Sequence, residues 1–405
     1  MRRKMGDALA ELAAEILYED ETAWPTLLPS LMQLVRHPGA SQREISLEVF
    51  ARIAESVTPT LKGQLGVLVE IFQASLSDTV EVRLSALKAL TAFLGCLEES
   101  EASVFHSMLP SILVAVSDPV AVAPQAETQT KEMLEILVEV AEYNPRFFRP
   151  VVNDFASYMV ALASAGSGTV ADSLRHVALE WLCTLAEAKP TMARKVSITP
   201  NNGGIAGSFA QASMQVCFAM MLEIEEDAEW ATSEEEVSES LDVQSEDLGS
   251  QALDRLARAL GPKQAIPAAF ELVNQMLQRE ASGEGWRFPY VALLAMCQTV
   301  EGGMGTEYAA QMQAQVVACA SRLLHHTSPR VRFMALQALG QLLLDHGPDV
   351  QREHHAEIVP MLCQSMSEAT NPSPRVRSHA AAATINFIDF CEAPELKLHK
   401  KRANP

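Results

Sequence analysis

Hydrophobic and polar positions alternate along this chain with the periodicity of helices, and three stretches repeat one arrangement: VRLSALKALTAFL from Val82, VRFMALQALGQLLL from Val331 and VRSHAAAATINF from Val376. In each copy alanine stands four and seven residues after the valine (Ala86 and Ala89, Ala335 and Ala338, Ala380 and Ala383), and a large apolar residue stands at eleven (Phe93, Leu342, Phe387). Those offsets fall on a single helical stripe. The last two copies begin 45 residues apart, and fainter ones begin at Arg43 (REISLEVFARIA), Arg175 (RHVALEWLCTLA) and Arg287 (RFPYVALLAMC). A recurrence of this length belongs to paired helices that cannot bury their apolar faces alone and must stack on neighbours.

The pattern therefore predicts an all-α fold, a HEAT-repeat α-solenoid drawn as a right-handed superhelix of antiparallel helix pairs. A leading helix and about eight pairs are expected, near 25–57, 63–98, 104–143, 148–188, 205–260, 264–303, 309–346 and 354–391, as one array over residues 1–396. Turn signals fall where that scheme needs them, at Pro38-Gly39 and Ser77-Asp78 within pairs and at Asn144-Pro145 and Lys189-Pro190 between them. The opening MRRKMGDALAELAAEIL has a basic start, but Asp7, Glu11 and Glu15 argue against a transit peptide. It is expected to be a second helix whose partner lies upstream of Met1. SITPNNGG, from Ser197 to Gly204, is expected to be an insertion between repeats.

The spacing breaks once. From Glu223 to Asp247 the chain carries twelve Asp or Glu and no Lys or Arg, which supplies most of the formal net charge of −20. So charged a run cannot offset its ordering entropy, and residues 223–247 are expected to be a flexible acidic insert. Trp230 is out of place in such a run, which implies that it has a binding surface on this protein or on a partner.

A second acidic series follows the repeat period. Asp254, Glu301, Asp345 and Asn386 stand near the ends of successive second helices at spacings of 47, 44 and 41. Side chains repeated in that way could form a ladder for an extended basic peptide, with lysine ammonium groups as guests.

Other chemistry finds little support. There is no G-x-x-x-x-G-K-[ST], H-E-x-x-H or G-x-S-x-G, so no enzyme and no cofactor are expected. The seven cysteines lack a C-x-x-C pair and are expected to be reduced thiols rather than metal ligands. His325-His326 and His354-His355 are adjacent pairs that would point about 100° apart on a helix and chelate poorly. No long uncharged apolar run predicts a membrane span, and a pI near 4.9 opposes direct nucleic-acid binding. ELKLHKKRANP does not continue the repeat, and residues 397–405 are expected to be a basic tail.

The segments EIEEDAEWATSEEE and SQALDRLARALG, with WRFPYVALLAMCQTVEGG, SPRVRFMALQALGQLLLDHGP and PRVRSHAAAATINFIDFCEA, together resemble the importin-5 (karyopherin β3) branch of the importin-β nuclear transport receptors. RRKMGDALAELAAEI resembles an early second helix of the same proteins. The resemblance implies a HEAT superhelix that shuttles between cytoplasm and nucleus, carries cargo past FG-repeat nucleoporins and releases it when Ran-GTP binds. It also implies that Asp254, Glu301, Asp345 and Asn386 hold cargo lysines on the concave face, and that Glu225, Glu226, Asp227, Glu229 and Trp230 belong to an acidic loop that contacts Ran. The first two repeats and the C-terminal half of such a receptor are expected to lie outside this chain, which places Ran engagement mainly with the missing N-terminal repeats. The other class of function open to the array is a HEAT scaffold organising a multi-subunit complex such as a phosphatase.

Overall fold

The computed structural model describes residues 2–19, 23–118, 121, 123–166, 168–200, 204–227, 229–232 and 244–391, with side chains from residue 8 and not for 18 and 19. The middle of the acidic insert, 233–243, and the expected tail, 397–405, lie outside the described residues. The architecture is all-α, built from stacked antiparallel helix pairs of the HEAT type. The chain divides into two compact units, Met1–Ala206 and Gly207–Pro405.

The first unit contains α1 (Arg2–Glu19), α2 (Leu27–Leu34), α3 (Ala40–Leu61), α4 (Leu65–Ser75), α5 (Val80–Gly95), α6 (Glu99–Ala102), α7 (Leu109–Ser117), α8 (Glu127–Tyr143), α9 (Val152–Ala163), α10 (Asp172–Ala188) and α11 (Pro190–Ala193), then the two-residue strand β1 (Ser197–Ile198). The long helices α1, α3, α5, α8 and α10 pack one on the next as a continuous row. Their partners on the other side are α2, α4, α7 and α9. Three of these partners are preceded by 3-10 turns, Lys62–Gln64, Ser103–Met108 and Pro145–Val151.

The second unit opens with a two-residue strand, β2 (Gly207–Ser208), and contains α12 (Phe209–Met221), α13 (Ser245–Leu260), α14 (Pro262–Ala281), α15 (Arg287–Gly303), α16 (Ala309–Leu323), α17 (Pro329–Asp345), α18 (Asp349–Ser365) and α19 (Pro374–Asp389). Here α13, α15, α17 and α19 form the row, and each packs on the helix that precedes it in the chain. Gly261 makes the turn between α13 and α14 in one residue, because its φ of 75° is a left-handed value that side chains disfavour. Pro262 then starts α14 at a position where no backbone N–H is missed. Gly249 serves close packing instead. A Cβ there would lie 2.7 Å from the carbonyl oxygen of Cys217, so only glycine lets α13 lie this close to α12.

The shared stripe is the contact surface of the rows. Ala86, Ala89 and Phe93 on α5, Ala335, Ala338 and Leu342 on α17, and Ala380, Ala383 and Phe387 on α19 are all buried. Small side chains at four and seven let adjacent second helices approach, while the large one at eleven fills the space that opens beyond them. Around α10 the core is aromatic, with fully buried Trp181 edge-on to Phe148 at 5.4 Å and stacked on Phe155 at 6.3 Å.

The arginines of the first two Val-Arg pairs link one repeat to the next, while Arg377 of the third donates to the Asn371 and Pro372 carbonyls of its own turn, both at 3.0 Å. Arg83 donates to the carbonyl oxygen of Asp78, in the turn of its own pair (2.8 Å), and to the carboxylate of Asp118 in the following turn (3.0 Å). Arg332 repeats this, donating to the carbonyls of His326 (2.7 Å) and Thr327 (3.0 Å) and to the side-chain oxygen of Asn371 (3.1 Å). Arg43 holds the carbonyls of His37 and Pro38 and forks onto both Asp78 oxygens at 2.6 and 2.8 Å. A planar guanidinium with fixed donors is suited to binding a turn and a neighbouring acid together.

Candidate functional site

Two charged features of the second unit sit on opposite ends of the helix row. The first is the predicted carboxylate series. Asp254 lies in the body of α13, Glu301 in the last turn of α15, Asp345 at the last residue of α17 and Asn386 in the last turn of α19. Successive row helices are in contact, so the one-per-repeat spacing becomes a lateral series across the row.

The structure brings the first three together. Arg258, one turn after Asp254, places its guanidinium 2.9 Å from Asp254 Oδ2 and 3.3 Å from Glu301 Oε2. The Gln341 amide donates to both Asp345 oxygens at 3.1 and 3.0 Å. Burial lifts the Asp345 carboxyl above its ordinary value; the Gln341 hydrogen bonds oppose the rise and the nearby Glu301 charge adds to it. Asp254 is raised in the same way, chiefly by burial, with Arg258 opposing and Glu301 reinforcing. Between them on α15, burial and the charges of Asp345 and Asp254 push the Cys297 thiol up to about 12. Glu301 stands one turn after Cys297 on α15, and its charge bears on both Asp254 and Asp345, so the three acids share a face. Asn386 joins less directly, since its Nδ2 donates to the Gly340 carbonyl of α17 at 3.3 Å.

These placements run against helix electrostatics. A helix C-terminus carries about half a negative charge, so acids there are disfavoured by roughly 0.3–1 kcal/mol each. α15 and α17 each carry an acid and no basic residue in the last turn. Partial burial adds to the cost, so the face is a concentration of negative potential held by the rigid row. Arg258 was the residue that the spacing of acids missed. The i, i+4 pair in DRLAR signals it, because residues four apart on a helix are neighbours.

The second feature is the acidic segment, whose described part is a docked strap rather than a free insert. The Ile224 carbonyl accepts from Arg287 Nε at 3.0 Å, and Glu226 lies 3.3 Å from both Arg287 Nη1 and the Trp286 indole nitrogen. Trp230 packs edge-on against Phe333 with ring centroids 5.4 Å apart, and the Arg330 and Arg375 guanidinium groups lie 5.3 and 4.9 Å from its ring. Phe333 is backed in turn by stacked His379 at 4.1 Å, and Ser373 Oγ donates to the Ala231 carbonyl at 2.8 Å. The surface expected for Trp230 is therefore on its own chain.

Arg287, Arg330 and Arg375 occupy the first or second position of α15, α17 and α19. Cations at the positive ends of helices are as disfavoured as acids at the negative ends, and the strap brings Glu226 and an aromatic face to offset them. Glu225, Asp227 and Glu229 are exposed, with Asp227 Oδ1 accepting the Glu229 backbone N–H at 2.9 Å. The insert also ends earlier than the sequence implied, because Ser245, Glu246 and Asp247 form the first turn of α13. Glu246 is half-buried there beside Tyr290; desolvation raises its carboxyl, and the Tyr290 hydrogen bond opposes the rise. Among the described residues no cluster of His, Cys, Asp or Glu is arranged to hold a metal, and no helix is long and apolar enough to cross a membrane.

Comparison with known proteins places these features in a context. Residues 1–158 match the family described as IPO5-like, TPR repeats; residues 167–267 match the importin repeat; residues 329–383 match a HEAT-like repeat. Importin subunit beta-3 of Saccharomyces cerevisiae is 26% identical over 396 residues, covering 96% of this chain and 33% of that protein. The chain thus spans about a third of that relative. The crystal structure of Kap121p aligns with a TM-score of 0.81 at 25% identity, over 98% of this chain and 36% of that one. Kap121p bound to RanGTP aligns at 0.77 and Kap121p bound to Nup53p at 0.79, both at 25% identity over 93% of this chain and 34% of theirs.

Proposed function

We propose that this chain, which belongs to the importin-β superfamily, binds lysine-rich localisation signals of cargo proteins along the row of Asp254, Glu301, Asp345 and Asn386 as part of a nuclear import receptor. The observation that carries the reading is the gathering of three carboxylates onto one face of consecutive helices, two of them at helix ends where their charge is disfavoured. A site that raises carboxyl pKa values by burial gains most from an incoming cation, since the cation restores the interactions that water supplied. An extended peptide with ammonium groups spaced along it matches an acid once per repeat better than a compact ligand does. Kap121p has been crystallised with Nup53p, Ste12p and Pho4p, and the row gives this chain a surface for partners of that kind.

The remaining partners follow from family membership. FG-repeat nucleoporins would be met on the side away from the row, where a trough of about 480 Å3 between α12 and α14 is floored by Phe218, Leu272 and Met276. Ran-GTP, which Kap121p binds, would reach the strap residues Glu225, Asp227 and Glu229 and govern cargo release in a receptor that shuttles between cytoplasm and nucleus. Fluorescence anisotropy with a labelled lysine-rich peptide tests the central assignment. Glu301→Gln with Asp345→Asn should weaken binding several-fold while the thermal transition is retained; equal affinity in the double variant would remove the row from the function.

A further inference from the structure

We propose that Arg258 is a tethered competitor for the cation that the carboxylate row receives, so that the row is graded, with its Asp254 and Glu301 end already filled and its Asp345 end open. The inference deepens the cargo-binding reading and rests on it. The Arg258 guanidinium stands where a lysine ammonium would, within ion-pair distance of carboxylates from two consecutive helices (2.9 and 3.3 Å). Its side chain is 63% exposed while that of Asp254 is only 22% exposed. Arg258 can therefore swing away without opening a cavity, whereas the acid it covers is held by the helix row.

The position of Arg258 makes the competition effective. It lies in the last turn of α13, where the helix end favours a cation whether or not the acids are engaged. An arriving lysine must either displace the guanidinium or sit beside it at the cost of like-charge repulsion. No basic residue occupies the last turn of α15 or α17. Asp345 is satisfied by a neutral amide from Gln341, which a stronger, charged donor replaces readily. A signal with two lysines accordingly seats the first at Asp345 and uses the second to compete with Arg258. Signals with a single lysine gain little from the Asp254 end.

Exposed ion pairs hold their partners by a factor of roughly 1.5 to 5, and the expected effect has that size. With the full chain and a fluorescein-labelled peptide carrying two lysines, Arg258→Gln should tighten binding about two- to fivefold at low ionic strength. Arg258→Lys, which keeps the charge, should stay near the parent value. The gain should vanish in an Asp254→Asn, Glu301→Gln background, a result that a merely structural role for Arg258 would not give. Binding that is lost on acid substitution but unchanged or weakened by Arg258→Gln overturns the competitor role and leaves the row intact. Parent affinity that ignores the acid substitutions overturns the row, and the competitor role with it.

Discussion

Replacing Trp230 with alanine should detach one end of the strap while leaving the helices folded. The ring makes one edge-on aromatic contact, with Phe333, and accepts two guanidinium groups, from Arg330 and Arg375. An aromatic pair contributes about 0.5–1.5 kcal/mol, and each partly exposed cation–π contact adds about 0.5–1 kcal/mol. The sum, about 1.5–3.5 kcal/mol, corresponds to a shift of roughly ten- to a few hundredfold toward the detached state. Nothing in the row's buried stripe is touched, because Ala335, Ala338 and Leu342 lie on a face of α17 that packs within the row. The other end of the strap keeps its Arg287 contacts to Ile224 and Glu226. Hydrogen exchange read by mass spectrometry is the suitable assay, since the Thr232 amide donates to the Glu229 carbonyl at 3.0 Å in a turn that the Trp230 contacts hold in place. The expected result is exchange faster by about ten- to a few hundredfold over 229–232, with α17 and α19 unchanged and Trp230→Phe intermediate. Unchanged exchange in a folded variant would refute the claim that the ring holds the strap.

Three further outcomes follow from the same contacts. Phe93→Ala removes a fully buried ring from the stripe of α5 and should cost about 3–5 kcal/mol, seen as a lowered thermal midpoint of the first unit. The Arg43 hydrogen bonds hold the Asp78 carboxyl below its ordinary value, so its contribution to stability is complete above about pH 4 and is lost as pH falls through the depressed native value; denaturant midpoints of Asp78→Asn should show a weaker acid dependence than the parent. Asp345 has the opposite sign: a native value above the unfolded one makes the ionised group a burden at neutral pH that is relieved as pH falls, so Asp345→Asn should match or exceed the parent in thermal stability while losing peptide affinity.

The fold was legible because Ala335, Ala338 and Leu342 recur as Ala380, Ala383 and Phe387 one period later, and packing between adjacent helices requires small and large residues at those offsets. The arginine of the same motif was visible as a repeat signal, but its work was not: Arg83 reaches Asp118 and Arg332 reaches Asn371, partners a full repeat away. The row was readable as a spacing, and Arg258 escaped because counting acids along the chain ignores the cation one turn on. Trp230 was recognisable as misplaced in an acidic run. Its partners were not, since Ser373, Phe333 and Arg375 lie over a hundred residues away and only stacking brings them near. The helical start at Ser245 was hidden for a related reason: Glu246 looks like one more solvated acid until Tyr290 is placed beside it.

The central claim is that the face formed by α13, α15 and α17 receives cationic side chains. Its most direct test is the salt dependence of lysine-peptide binding, compared between the parent chain and a variant with Asp254→Asn, Glu301→Gln and Asp345→Asn. Pairing of ammonium groups with these carboxylates predicts parent affinity that falls steeply with ionic strength and a variant that is both weaker and nearly insensitive to salt. Parallel curves of equal affinity would contradict it.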